Sequence, residues 1–264
     1  MTSTMPSSPF PERARAFTLI EVMVVIVILT LLASGLALPI AAQLEARRAA
    51  ETRRVLSEAR ETLLGFAAIH GRLPCPASES SAGEESFAAG GDASNGNCSN
   101  FHDGLLPGAA LGLAPLDPQG FVRDAWGASR NRIRYAVFGA GQDVGGVTNP
   151  LTRAHGMRSA TLPALAAEPH YLFICSTGAS ANASGCGPAT NQLTRRAAFV
   201  LVSLGANAAA TPSPDSDEAR NLSGTPVFVY HEESAVGGNG FDDVVTWTPV
   251  GLVVSRMVSA GLLP

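Results

Sequence analysis

Three groups of residues in this sequence are of a kind that can do chemistry. The first is a single acid, Glu21, set at the head of Val22 to Ala42, a run without a charged residue. A carboxylate inside a membrane-type helix costs roughly 2.5 to 3.5 kcal/mol at the centre and less near the end, so it calls for a cationic partner or a reach to water. The second is a set of four cysteines, Cys75, Cys98, Cys175 and Cys186. The third is Gly238-Asn239-Gly240-Phe241-Asp242-Asp243, which crowds oxygen donors into a short loop. Calcium takes about six to eight oxygen ligands, backbone carbonyls included, so Asn239, Asp242 and Asp243 are candidate calcium ligands. The competing reading is a glycine turn that enters an edge strand, with both aspartates capping or solvated. No other cofactor is expected.

The sequence holds no recognisable arrangement for catalysis. There is no G-x-S-x-G elbow, no H-E-x-x-H pair and no phosphate loop. His70, His102, His155, His170 and His231 share no ligand spacing, and no CxxC occurs, which argues against zinc. Gly139-Ala140-Gly141 and Gly145-Gly146 lack a surrounding strand-to-helix unit and read as turns. The chain is therefore not expected to be an enzyme. A formal net charge of -4 gives no broad basic surface and no firm case for nucleic acid. Asp215, Asp217 and Glu218 read as an exposed charge run.

The elements that must position these groups begin with the apolar run. It is long enough to cross a bilayer, which takes about 20 apolar residues at ~1.5 Å rise each. It is too long for the core of a secretory signal, and the small residue Ala16 stands before it rather than after it. The positive-inside rule does not orient it, because Arg13 and Arg15 precede it while Arg47, Arg48, Arg53 and Arg54 follow.

From Gln43 to His70 there is no proline, and Val55, Ala59, Leu63 and Phe66 recur at spacings of three or four. The helix should thus continue to His70, with Gly71 and Pro74 as its stop. Pro39 predicts a bend within it. The outer half is amphipathic and must pack on the rest of the chain.

Beyond the helix, 78–100 reads as a surface loop rich in Ser, Gly, Ala and Asn. Asp124-Ala125-Trp126-Gly127 reads as a turn before an alternating strand at 132–138. Further strands are expected at 171–176, 197–204, 227–230 and 242–248. The stretches 139–158 and 208–221 read as loops, and 249–260 as a short helix. An even number of cysteines suggests two disulfides in an oxidising compartment. Four cysteines allow three pairings; the short loops favour Cys75–Cys98 and Cys175–Cys186, and buried free thiols are the competing reading.

Ala16-Phe17-Thr18-Leu19-Ile20-Glu21, followed by Val-Met-Val-Val-Ile-Val-Ile-Leu, resembles the cleavage and methylation segment of the type IV pilin and pseudopilin family along residues 15–42. The resemblance implies cleavage by a prepilin peptidase between Ala16 and Phe17, N-methylation of Phe17, and pairing of Glu21 with the Phe17 amine of a neighbouring subunit. The family usually has Gly where this chain has Ala16. Asp-x-Trp-Gly with the following Tyr-x-Val, and the C-terminal run from Phe241, are also similar to stretches in prepilin-type proteins. Some pseudopilins hold calcium in a C-terminal loop.

These readings together give an α+β fold: a long N-terminal helix packed on an antiparallel sheet. The expected division is a cleaved leader at 1–16, a membrane and filament-core helix at 17–42, its amphipathic continuation at 43–71, and a periplasmic domain at 72–264. The implied function is structural, as a minor pilin or pseudopilin of a type IV pilus or type II secretion pseudopilus. It is anchored first in the bacterial inner membrane and then lies in a periplasmic or surface filament with other pilins. The competing reading is a membrane-anchored adhesin or ligand-binding protein.

Overall fold

A computed structural model describes residues 18–127, 130–232 and 240–263, without the side chains of 33–41. The chain divides into two compact units, Met1–Ala46 and Arg47–Pro264.

Helix α1 (Leu19–His70) opens where the Thr18 carbonyl accepts the amides of Glu21 and Val22. It continues through Pro39. It closes on Gly71, whose φ of +69° is the left-handed geometry that favours glycine after a helix, and whose amide donates to the Ala67 carbonyl. In the first unit Leu19, Ile20 and every large apolar side chain from Val22 to Leu29 are exposed, as are Leu31 and Leu32. Among the described residues no helix is long and apolar enough to cross a membrane. The span expected at 17–42 includes Phe17 and the side chains of 33–41, which lie outside that description.

The second unit is built on a mixed sheet. Its elements in order are β1 (Gly104–Leu105), β2 (Arg134–Val137), β3 (Asp143–Val144), β4 (Val147–Thr148), α2 (Gly156–Ala160), α3 (Leu162–Ala167), β5 (Leu172–Cys175), β6 (Gln192–Ser203), α4 (Asp217–Asn221), β7 (Val227–Val229), β8 (Val244–Pro249) and α5 (Val250–Ser259). The long strand β6 organises the rest. Its first half pairs with β5, its second half with β2 and β8, all antiparallel. β1 extends the sheet beyond β2, and β7 pairs with β5 in parallel. The sheet is therefore mixed, where alternation alone predicts an antiparallel one. A parallel neighbour needs a crossover, and 176–226, which contains β6 and α4, provides it.

The amphipathic reading of the outer helix agrees with the packing. Leu56, Ala59, Leu63, Leu64 and Ala67 are buried in one cluster with Phe199, Leu201 and Val253. Two polar contacts fix the helix against the domain: Arg60 Nε donates to Thr248 Oγ1 at 3.1 Å, and Ala125 N donates to Thr52 Oγ1 at 3.2 Å. Arg54 pairs with Glu51 and Glu58 on the exposed face.

Disulfides join Cys75 to Cys98 and Cys175 to Cys186. The first closes the loop that follows α1, the second ties a loop to β5, and each limits the unfolded chain. The first loop is held further by a buried bidentate pair between Arg72 and Glu85, at 2.6 and 2.7 Å. Two expected loops contain structure. The β3–β4 hairpin and the start of α2 lie in 139–158, and α4 lies in 208–221. These elements are too short to leave a periodic signal.

Candidate functional site

Two places carry the residues singled out from the sequence, one in each unit. In the first unit Glu21 stands in the opening turn of α1, and its side chain is exposed. The positive end of the helix dipole suits an acid there. The large apolar side chains that follow, from Val22 to Leu32, are exposed among the described residues. Ala16 and Phe17 lie outside the described residues.

In the second unit the backbone brings Asp242 and Asp243, just before β8, against Glu218 of α4. The three carboxylates approach within 4.8 Å of one another. Asn239 lies outside the described residues. Glu218 corrects the sequence reading: it is 7% exposed, not part of a solvated charge run. Ser216 caps α4 by accepting the Ala219 amide at 3.2 Å, which sets Glu218 in the first turn with its side chain inward. Glu218 Oε1 accepts from the Asp242 amide, and both its oxygens accept from Asn207 Nδ2, each at 3.0 Å. Asp242 Oδ2 accepts from the Asn207 amide, while Asp242 Oδ1 is buried without a hydrogen-bond partner. Gly205 makes this approach possible. Its φ is +64°, and a Cβ there would meet the Asp242 carbonyl oxygen at 2.4 Å.

Asp243 is buried and accepts from Asn221 Nδ2 at 2.7 Å, while Asn221 also bonds the Val229 backbone in both directions. Burial, more than its carboxylate neighbours, pushes Asp243 up to about 8 and Asp242 up to about 6. Beside them Asp217 accepts the Gly178 amide at 2.5 Å and meets His231 Nε2 at 3.0 Å. A cavity of about 600 Å³ opens next to Asp243, lined also by Arg53, Ser57, Tyr230, His231 and Glu232.

The cluster fits a hard divalent cation. Its donors are all oxygens, two of its acids resist ionisation without a counter-charge, and the buried Asp242 Oδ1 lacks a donor. Asp215 is exposed and takes no part. The sequence sign of Glu218 is Ser216 ahead of two acids, a helix-start pattern hidden between Pro214 and the Ser223-Gly224 turn.

Residues 13–37 match the model of the prokaryotic N-terminal methylation motif. The chain carries the type IV pilin and pseudopilin signal. The motif takes in Ala16, Phe17 and Glu21 and ends within the apolar run. No curated protein and no solved structure matches the chain. The motif therefore gives a pilin-type precursor, and the second unit is known by its own fold: the outer half of α1 on a mixed, disulfide-braced sheet.

Proposed function

We propose that this protein is a structural filament subunit, a minor pilin or pseudopilin, and not an enzyme. The observation that carries the reading is the methylation motif at 13–37. A prepilin peptidase removes residues 1–16, Phe17 is methylated, and the segment 17–42 anchors the chain in the inner membrane before it joins other pilins or pseudopilins. The domain 72–264 then lies in the periplasm or at the cell surface, where disulfides persist. The row of exposed apolar side chains from Leu19 to Leu32 supports this, because such a surface needs lipid or other helices to cover it. Co-expression with a prepilin peptidase is expected to shorten the chain by the leader, and Ala16→Gly to be cut at least as well. A chain that stays full length beside an active peptidase contradicts the reading.

The finer reading of the C-terminal cluster is a calcium site held by Glu218, Asp242 and Asp243. The ion supplies positive charge beside Asp242 and Asp243, whose ionisation burial opposes. The sign of the pH dependence follows. A carboxyl whose pKa is raised on folding binds protons more tightly in the folded state, so stability in calcium-free buffer falls as pH rises from the ordinary carboxylate range to about 8. Calcium competes with those protons. Its stabilisation, about 2.7 kcal/mol at a hundredfold excess over Kd, is expected to be larger near pH 8 than near pH 6. Thermal melts with chelator and with millimolar calcium at both pH values check this. No calcium-dependent shift at either pH returns the cluster to a proton-sharing turn.

A further inference from the structure

Strands β7 and β8 each have an outer edge, and the fold treats the two differently. At β7 the Asn221 side chain covers it, accepting from the Val229 amide at 2.7 Å and donating to the Val229 carbonyl at 3.2 Å. β8 pairs with β6 alone. Among the described residues the backbone of Val244–Thr248 makes no hydrogen bond outside that pairing. Its polar contact with α1 runs through a side chain, from Arg60 Nε to Thr248 Oγ1. Alternate residues of a strand turn their N–H and C=O away from the paired neighbour, so β8 presents an unused row of donors and acceptors.

The cavity of about 600 Å³ beside Asp243 lies along this edge. Its lining takes three consecutive residues of β8: Val244, Val245 and Thr246. Successive side chains of a strand point to opposite faces, and Val244 and Val245 are both buried in the core. What such neighbours share with one cavity is their backbone edge. The other stretch of chain on the lining is also consecutive, Tyr230, His231 and Glu232, where the chain runs on from β7. Leu56 and Ser57 of α1 add to the lining. The Tyr230 and Trp247 rings meet edge to face at 5.3 Å and hold the two stretches together. The result is a slot bordered by a free strand edge.

We propose that this slot takes one extended segment of a partner protein, laid along β8 and hydrogen-bonded to its free edge. A row of backbone N–H and C=O groups is complementary to another backbone in extended form, which is recognition by strand addition. A helix does not answer it, because its own N–H and C=O groups are spent on one another. The volume suits a few residues of strand. β-branched residues suit the occupant, since they favour the extended state and pack on Leu56. Charge does not select it: the lining carries Arg53 and Glu232, one of each sign, beside the buried Asp243. The inference goes beyond the filament reading and does not depend on it.

The test uses the full chain in detergent micelles and a fluorescent peptide, acetyl-Thr-Val-Thr-Val-Thr-amide, followed by anisotropy and by hydrogen exchange. The peptide is expected to bind and to slow exchange of the β8 amides. A counterpart N-methylated at every residue keeps the side chains and loses the backbone donors, and is expected to bind at least about tenfold more weakly. Ser57→Trp, an exposed change on α1, fills the slot and is expected to weaken the peptide about tenfold without moving the melting temperature. No binding, equal binding of the methylated peptide, binding that leaves β8 exchange unchanged, or binding indifferent to Ser57→Trp overturns the proposal. Self-association that slows β8 exchange without peptide overturns it in favour of a second copy of the chain. Peptide binding that appears only after deletion of 234–238 assigns the slot to the chain's own segment and likewise overturns it.

Discussion

Glu21→Val is expected to leave the protein folded and in the membrane but to abolish or sharply reduce its incorporation into filaments. The side chain sits in the first turn of α1, ahead of a row of exposed apolar residues. In a bilayer a single subunit lets Glu21 and the Phe17 amine reach toward headgroups or water. Between packed helices of a filament that escape is lost. On the proposed function, Glu21 then meets the Phe17 amine of its neighbour, which offsets both desolvation costs and sets the axial stagger. Removing one partner strands the other charge, at roughly 3 to 5 kcal/mol for a buried pair. Folding of Arg47–Pro264 does not involve Glu21, so the variant should melt as the parent does. Cross-linking to partner pilins at matched membrane levels reads the effect. Unchanged cross-linking with unchanged secretion or piliation removes the pairing from the account.

Asp124→Ala is expected to cost about 3 kcal/mol or more of stability, a large effect for one surface-turn residue by its sequence alone. The structure makes it the hub of a buried network. Asp124 Oδ1 accepts the Trp126 amide at 2.9 Å, and Oδ2 accepts Asn131 Nδ2 at 2.9 Å and Ser203 Oγ at 2.6 Å. Asn131 Nδ2 also donates to the Gly205 carbonyl at 2.7 Å, and the adjacent Ala125 amide reaches Thr52 on α1. One carboxylate thus ties the turn to β6, to the glycine that cradles Asp242, and, through the next residue, to the helix. Alanine leaves three donors short of an acceptor in the interior. Denaturant unfolding of the variant checks the prediction; a loss within about 0.5 kcal/mol, the range of ordinary surface changes, contradicts the network.

These two residues also mark what the sequence could tell. Glu21 was legible because its meaning is local: an acid at the head of an uncharged apolar run stands out at any scale. The outer half of α1 was legible for the same reason, since its stripe follows the helical period: Ala59 and Leu63 are buried, and Val55 and Phe66 at its edge are half-buried. The strand at 132–138 followed from alternation, and the other expected strands, at 171–176, 197–204, 227–230 and 242–248, each overlap a strand of the sheet. Asp124 was legible as part of a turn but not as a hub, because Asn131 and Ser203 reach it only when β6 lies beside the turn. Glu218 was misread for a parallel reason. Its prolines and acids look solvated, and only the return of the chain at 240–243 buries it. The parallel pairing of β5 with β7 and the slot beside β8 likewise depend on segments far apart in the chain.

The central claim is that the chain is a processed filament subunit, and the N-terminus tests it most directly. Mass spectrometry of the protein isolated from its own membranes should find a mature chain that begins at N-methylated Phe17 and lacks residues 1–16. A terminus at Met1, in cells whose prepilin peptidase is active on other substrates, contradicts the account.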